Sequence, residues 1–279
     1  MITSSPVARS TQSMPPARMD EPPYTTRLQK GGALVREMRL LVQHWDGRPG
    51  CPEQLLRTNV ISAPSRLRAW DTIMRTFVPR FVHSRPADLW RSLGILERAG
   101  WGAERLLPIH YYAAAAAEPL LWDFVAGDLA ERQALGQSEV RTEDVLRFLR
   151  RAPESRFVGR RRWTATVSTR VARGLLAALR DFGVLAGAAK KRLTPLYLPA
   201  ESFAFLAMIR NLLGYRGRRS LTDPGWRLFF LGEAGVERFF IEAQQRKLLE
   251  YHAAGAVVRI EFPAQTLDAY AHELAQRAH

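Results

Sequence analysis

Hydrophobic side chains in the N-terminal half of the chain recur every three to four positions, which is the spacing of one face of a helix. This spacing predicts helices over residues 34–45 and 52–58, and a third over residues 63–79 with Ser62 as its N-cap. Residues 86–136 have the same periodicity and are predicted to be helical throughout. The N-terminal half is therefore expected to consist of helices.

The C-terminal half adds short strands to the helices. Thr142 is predicted to cap one helix, and a longer helix is predicted over residues 166–182. Strands beginning at 184–185 and spanning 193–198 are expected on either side of a turn at Lys190. A helix followed directly by a hairpin is typical of a winged helix-turn-helix, in which the helix enters the major groove and the hairpin touches the flanking backbone.

Helix and hairpin recur near the C-terminus. A helix is predicted over residues 235–247, strands over 248–252 and 256–262, and a last helix from Thr266. Alternation in the second strand places one set of side chains inward and the other outward: Val258, Ile260 and Phe262 against Val257, Arg259 and Glu261. The sequence therefore predicts a mainly α fold of tandem helix-turn-helix or winged-helix units with short β-hairpin wings.

The same patterns divide the chain into five parts. Residues 1–23 are rich in Ser, Thr, Pro and Arg and carry almost no large apolar side chain, so a disordered tail is expected. A helix-turn-helix unit over 24–85, a helical connector over 86–137, a winged-helix unit over 138–200 and a C-terminal helix–hairpin unit over 201–279 follow.

The chain is strongly basic, with 41 Lys and Arg against 27 Asp and Glu and a formal net charge of +14. Such a charge favours a polyanionic partner, either nucleic acid or an anionic membrane surface. Arginine outnumbers lysine, which favours paired contacts to phosphate and guanine; codon bias in a GC-rich genome is the alternative explanation of that ratio, but it does not explain the net charge.

The longest apolar stretch, at 109–125, is interrupted by Glu118 and Asp123. No membrane span is therefore predicted, and we expect a cytoplasmic protein. The single cysteine, Cys51, excludes an internal disulfide framework.

Basic residues are concentrated between Arg156 and Arg192, where Asp181 is the one acidic residue among ten basic ones. On the helix predicted at 166–182, a hydrophobic arc faces an arc of Thr and Arg, as a groove-reading helix requires. The predicted DNA contacts are Thr169, Arg170, Arg173 and Arg180 on the helix, Arg160, Arg161 and Arg162 before it, and Lys190, Lys191 and Arg192 on the hairpin. The alternative is an ordinary helix with a solvated basic face.

The helix predicted at 63–79 has a weaker version of the same pattern. Its expected inward residues are Leu67, Trp70, Met74 and Phe77. Its expected outward residues, which are further candidate DNA contacts, are Ser65, Arg68, Thr72 and Arg75. Packing of three helices without DNA binding would produce the same pattern.

The C-terminal helix–hairpin differs in charge from the other two units. It has four basic and five acidic residues over 233–263, which does not favour phosphate, so we expect this unit to face a protein. The alternative is that it only packs against the central helices.

Recognised catalytic patterns are absent from the sequence. It has no phosphate-binding glycine loop, no nucleophile elbow and no histidine spacing typical of metal sites. We therefore expect no enzymatic activity, no cofactor, no metal and no small-molecule substrate. Carboxylates that converge only in the folded chain could still form a nuclease site.

Three segments resemble the BrxA family of BREX phage-defence systems. They are residues 24–34 (YTTRLQKGGAL), residues 59–66 (NVISAPSR), and residues 168–185, which begin STRVAR and end LRDFGVL. The resemblance, over roughly 24–262, implies a mainly helical protein with tandem winged-helix units that binds double-stranded DNA. It also implies a role beside a methyltransferase and other BREX proteins. RNA binding, transcriptional regulation and a scaffold that binds acidic proteins remain the alternatives.

Overall fold

The computed structural model describes residues 22–30, 32–255 and 257–277. The disordered tail expected over residues 1–23 lies almost entirely outside these ranges. In chain order the helices are α1 (Val35–His44), α2 (Cys51–Thr58), α3 (Arg66–Thr72), α4 (Leu89–Arg98), α5 (Ala103–Ala117), α6 (Pro119–Asp123), α7 (Ala130–Ala134), α8 (Thr142–Arg151), α9 (Ala165–Asp181), α10 (Ala200–Leu212), α11 (Glu233–Gln245) and α12 (Leu267–Gln276). The chain is thus mainly helical, as the periodicity predicts.

Wider and tighter helical turns join these elements. The π-helical stretch Ile73–Val82 continues α3, and the stretch Phe124–Leu129 joins α6 to α7. Short 3-10 helices lie at Arg27–Lys30, Glu154–Arg156, Val158–Arg160, Gly217–Ser220 and Pro224–Phe229.

Two small antiparallel sheets complete the fold. The strands are β1 (Glu139–Val140), β2 (Leu185–Ala186), β3 (Lys191–Leu193), β4 (Glu250–Ala254) and β5 (Val257–Glu261). The first sheet has the order β1-β3-β2, and β4 pairs with β5 in the second. The predicted strand at 193–198 is wrong in extent, because β3 ends at Leu193 and Pro195 follows, and a proline cannot donate to a ladder.

The helical prediction for residues 86–136 is confirmed apart from local breaks. Turns separate α4 from α5 at residues 99–102, and Glu118 separates α5 from α6. Glu118 is extended (φ −124°, ψ 91°) because the ring of Pro119 disfavours helical geometry in the residue before it.

Two predicted helix caps are displaced. Ser65, not Ser62, caps α3 by accepting the Arg68 amide at 3.1 Å, and Ser62 lies in the preceding turn with φ 52°. Thr142 is the first residue of α8 and not its cap. The Arg141 amide at that helix start instead donates to the Asp144 carboxylate at 2.8 Å.

The buried face of the helix predicted at 63–79 is also different from the expected one. Leu67 is 72% exposed and Trp70 is 39% exposed, although both were expected to point inward. Thr72, expected outside, is buried and donates its hydroxyl to the Arg68 carbonyl at 2.9 Å. The inward face instead runs through Ala69, Thr72, Ile73 and Phe77, because small Ala69 starts that face and the π-helical turns alter the register beyond Thr72.

The C-terminal elements agree with the sequence pattern and pack on the N-terminal ones. Thr266 caps α12 by accepting the Ala269 amide at 3.2 Å, and α12 lies against α4. Most of α10 is buried, and it contacts α5, α11 and α12. The buried hydrophobic residues of both halves therefore form one continuous core.

Candidate nucleic-acid interface

The helix α9 has a clear start and a clear end. Thr164 caps it by accepting the Val167 amide at 3.3 Å. Gly183, with φ +76°, ends it. Between them Val171, Leu175 and Ala178 are fully buried, as the predicted inward arc requires.

The opposite side of α9 is an exposed strip of Thr and Arg. Thr166, Arg170, Arg173 and Arg180 are exposed, which confirms their predicted outward position. Thr169 is half-buried, and its hydroxyl donates to the Ala165 carbonyl at 2.9 Å. At about 1.5 Å per residue, the strip from Thr166 to Arg180 is roughly 21 Å long, against a major-groove width of about 12 Å.

The 3-10 turn Arg27–Lys30 packs against one flank of α9. A Cβ at Gly174 would lie only 2.6 Å from the Leu28 carbonyl carbon and closer still to its oxygen. Leu28 itself is buried. The N-terminal segment therefore covers one flank of α9 and leaves exposed the strip that carries Arg170 and Arg173.

The hairpin β2–β3 follows α9 and carries three of the predicted contacts. Gly187 begins its turn with φ +96°, and a Cβ there would collide with the Lys190 carbonyl. Lys190 and Arg192 are exposed, and Lys191 donates from Nζ to the Ala188 carbonyl at 2.8 Å.

Strand β1 brings one carboxylate close to this hairpin. In the sheet register Glu139 lies opposite Arg192. The Glu139 carboxylate accepts a hydrogen bond from Arg141 at 2.9 Å. No ion pair between Glu139 and Arg192 is present.

The arginines before α9 have different surroundings. Arg160 and Arg161 are exposed. Arg162 donates to the Arg150 carbonyl at 2.6 Å and to the Ala152 carbonyl at 3.0 Å, which satisfies acceptors at the end of α8. The Arg162 guanidinium therefore stabilises the packing of the loop before α9 against the end of α8. Fewer of its N–H donors remain for a phosphate.

Arg156 is not on the surface, although it was counted in the basic stretch. It is buried, ion-paired with Asp123, and lies 4.7 Å from the Tyr24 ring centre. The Tyr24 hydroxyl donates to Asp123 at 2.8 Å, and burial raises the pKa of Tyr24 well above its usual range. Tyr24, from one of the family-like segments, therefore has a structural role.

Seven of the ten basic residues of this stretch have no carboxylate within 4.0 Å in the described part of the chain. The other three are Arg156 and Arg162, described above, and Arg180, which pairs with Asp181 at 3.0 Å. We call the seven the basic segment, and its members are Arg160, Arg161, Arg170, Arg173, Lys190, Lys191 and Arg192.

Three of the candidate DNA contacts on α3 and its π-helical continuation lie around a cavity. Arg68, Thr72 and Arg75 line it, and Arg75 pairs with Asp71 at 3.3 Å. Ser65 is exposed, and its oxygen is used in capping α3. Because Thr72 is buried, it cannot contact DNA from this position.

Two further arginines, not identified from the sequence, line the same cavity: Arg27 and Arg80. They are separated by more than fifty residues, so no local motif connects them. The sequence does contain a signal at Arg80, because an arginine in the apolar run FVPRFV must be either exposed or buried with partners.

Two other kinds of functional feature are not found among the described residues. Among the described residues, no group of three or more His, Cys, Asp and Glu side chains is placed to hold a metal ion. None of the described helices is both long enough and apolar enough to cross a bilayer.

Comparison with known proteins identifies the family. No curated protein matches the chain. The BrxA family model matches residues 22–209, which is about two thirds of the chain and includes α9, the hairpin and the arginine-lined cavity. The match also covers the three segments that suggested the family. The chain therefore belongs to the BrxA family, which associates it with BREX phage-defence systems.

Proposed function

We propose that the chain is a non-enzymatic, double-stranded-DNA-binding component of a BREX-type defence system, with little sequence specificity. The observation that carries the proposal is the basic segment, because among the described residues no carboxylate lies within 4.0 Å of its seven cations. Duplex phosphates would supply the missing negative charge and release counterions on binding. Arginine suits this task because its planar fork binds phosphate oxygens and guanine edges in pairs.

The local topology supports a winged-helix unit over residues 138–200. Helix α8, helix α9 and the hairpin β2–β3 follow one another, and β1 adds a third short strand next to β3. In such units the second helix enters the major groove. Arg170 and Arg173 would then face base edges or phosphates, while Lys190, Lys191 and Arg192 would contact the backbone beside the groove.

The C-terminal hairpin supports a different role for that end of the chain. Arg259 pairs with Glu261 on the same strand, and Val257 is 69% exposed. Because its arginine is already paired with a carboxylate and an apolar residue is exposed beside it, this hairpin would gain little binding free energy from a phosphate. We propose that β4–β5 contacts another BREX protein, and mixed-charge variants of this hairpin should weaken co-purification without changing DNA affinity.

The test of DNA binding is a charge reversal with a matched control. The variant Arg170→Glu/Arg173→Glu changes the net charge by the same amount as Arg238→Glu/Lys247→Glu, whose sites are exposed on the C-terminal unit. We expect the first variant to lose detectable binding to a fluorescent duplex and the second to retain most of it. Equal losses in the two variants would refute the proposed helix face.

Salt dependence provides the second readout. If at least six phosphates are contacted, affinity should fall by roughly 10³-fold or more between 50 and 200 mM salt. A flat salt response would contradict the model. Competition with duplex RNA separates the RNA-binding alternative, since the deep, narrow major groove of the A-form does not admit a helix.

A further inference from the structure

An open cleft lies where the starts of α5 and α10 meet the ends of α11 and α12. Its volume is about 440 Å³, within the range of about 300–1,000 Å³ that is typical of ligand pockets. We call it the C-terminal cleft. Two leucines line it together with four basic residues and one acidic residue, which are Arg105, Arg246, Lys247, Arg277 and Glu201. The excess of basic residues favours a negatively charged occupant.

Contacts between its elements hold the cleft in shape. The Ser202 hydroxyl donates to the Arg105 carbonyl at 2.6 Å, which ties α10 to the start of α5. Arg277 donates to the Lys247 carbonyl, which ties the end of α12 to the turn after α11. The chain therefore forms the cleft by itself, before any partner binds.

Three of the four cations in the cleft have no carboxylate partner. Among the described residues, no carboxylate lies within 4.0 Å of Arg105, Lys247 or Arg277. Arg246 differs, because it pairs with Glu201 at 3.3 Å and with a second carboxylate, on α11, at 2.8 Å. The charges of Arg105, Lys247 and Arg277 are therefore available to a ligand.

Lys247 has a backbone conformation that normally favours glycine. Its φ is +58° at the turn that ends α11, and glycine is the usual residue at such a helix end. Because lysine has a Cβ, this left-handed conformation is strained. The Lys247 side chain is exposed and makes no hydrogen bond or ion pair with any described residue. Contacts within the described chain thus give no reason for a lysine at this turn, whereas an acidic ligand in the cleft would.

The lining favours a peptide over a nucleic acid as the occupant. Leu248, Leu274 and the methylene stems of the basic residues make the surface of the cleft more apolar than polar. The Glu201 carboxylate accepts hydrogen bonds from N–H groups, which a peptide backbone has and a DNA backbone lacks. None of the residues that line the cleft is aromatic, so an unpaired base has no ring on which to stack.

We propose that the C-terminal cleft binds a short acidic segment of a partner protein. Carboxylates of the segment pair with Arg105, Lys247 and Arg277. An apolar side chain between those carboxylates packs on Leu248 and Leu274. This proposal goes beyond the proposed function, which assigns only the β4–β5 hairpin to a partner, and it does not depend on DNA binding.

Fluorescence anisotropy of a labelled acidic peptide, Glu-Glu-Asp-Leu-Leu-Asp-Glu-Glu, with the full chain at about 0.15 M salt tests the proposal. We expect saturable binding, and weaker binding when Ser-Ser replaces Leu-Leu at unchanged charge. Lys247→Glu/Arg277→Glu should weaken binding about tenfold or more, because two cations become like charges. Arg216→Glu/Arg238→Glu makes the same change of charge at exposed positions outside the lining, and should leave peptide affinity unchanged within about twofold.

Two further variants keep the test decisive. Lys247→Gln removes one exposed charge and should still weaken peptide binding if the double variant of the cleft does not fold. Arg170→Glu/Arg173→Glu changes the proposed DNA-binding face and should leave peptide affinity unchanged, so that a failure of this proposal is separate from a failure of DNA binding.

Four results would overturn the proposal. They are no saturable peptide binding, unchanged affinity in Lys247→Gln, equal losses in the cleft variant and its matched control, and displacement of the peptide by duplex DNA from Arg170→Glu/Arg173→Glu. A dimer that Lys247→Glu/Arg277→Glu dissociates would assign the cleft to a second copy of the chain, and would also overturn it.

Discussion

Replacing Gly174 with alanine tests whether the N-terminal segment is held against α9 by close backbone packing. In an ordinary helix the change Gly→Ala stabilises by about 1 kcal/mol. Here the new methyl group would lie 2.6 Å from the Leu28 carbonyl carbon, so Leu28 would have to move by about 1 Å to restore normal contact. Losing the burial of the Leu28 side chain costs about 1.5–3 kcal/mol. We therefore expect a net loss of about 0.5–2 kcal/mol in the free energy of unfolding.

Urea denaturation measures this loss, and amide exchange of residues 24–34 locates it. Gly127→Ala is the matched control, since Gly127 is also helical and a Cβ there meets no atom within 4 Å. We expect the control to be neutral or slightly stabilising. If Gly174→Ala were as stable as Gly127→Ala, the close approach of Leu28 to α9 would be wrong.

Two buried carboxylates give the remaining predictions. Burial by itself would raise the pKa of Glu97, but hydrogen bonds from Arg39 and its neighbours lower it to about 2, against 4.5 for the unperturbed group. The lowered pKa stabilises the folded state by about 3 kcal/mol above pH 4.5, and this stabilisation is lost as the pH falls toward 2. The free energy of unfolding of Glu97→Gln, measured by urea denaturation at a series of pH values, should therefore change less between pH 4.5 and 2 than that of the unmodified chain. Asp223→Asn leaves the buried guanidinium of Arg210 unpaired and should cost about 3–5 kcal/mol, whereas Glu233→Gln, in an exposed pair, should cost less than about 1 kcal/mol. Equal urea midpoints for Asp223→Asn and Glu233→Gln would contradict the stabilising role of the buried pair of Arg210 and Asp223.

The accuracy of the sequence-based fold prediction varied with the strength of the local signal. The helix predicted at 166–182 is observed at Ala165–Asp181, because a long apolar stripe between a threonine cap and a glycine leaves little freedom. The inward face of the helix predicted at 63–79 was only partly correct, because Phe77 is buried but Leu67 and Trp70 are exposed. Counting only large apolar residues favoured Leu67 and Trp70 over the smaller Ala69, which is the residue that packs.

The candidate site was predictable only where its residues are close in sequence. The run of arginines and the hairpin lysines identify the basic segment, but not which arginines have partners inside the protein. Arg156 differs from its neighbours only through Tyr24 and Asp123, which are distant in the chain. Arg27 and Arg80 likewise line one cavity although they are distant in the chain, and single-sequence periodicity contains no information about that proximity.

At several positions the identity of the basic residue matches what its side chain can do. Buried ion pairs use arginine: Arg39 donates to both oxygens of Glu97, and Arg210 donates to both oxygens of Asp223. A planar fork matches a carboxylate in that way, and a lysine ammonium cannot. The sequence has only four lysines, and two of them, Lys190 and Lys191, are adjacent at the turn of the β2–β3 hairpin. A flexible point charge at that turn can follow a phosphate backbone without a fixed geometry, which is what the DNA-binding wing that we propose would require.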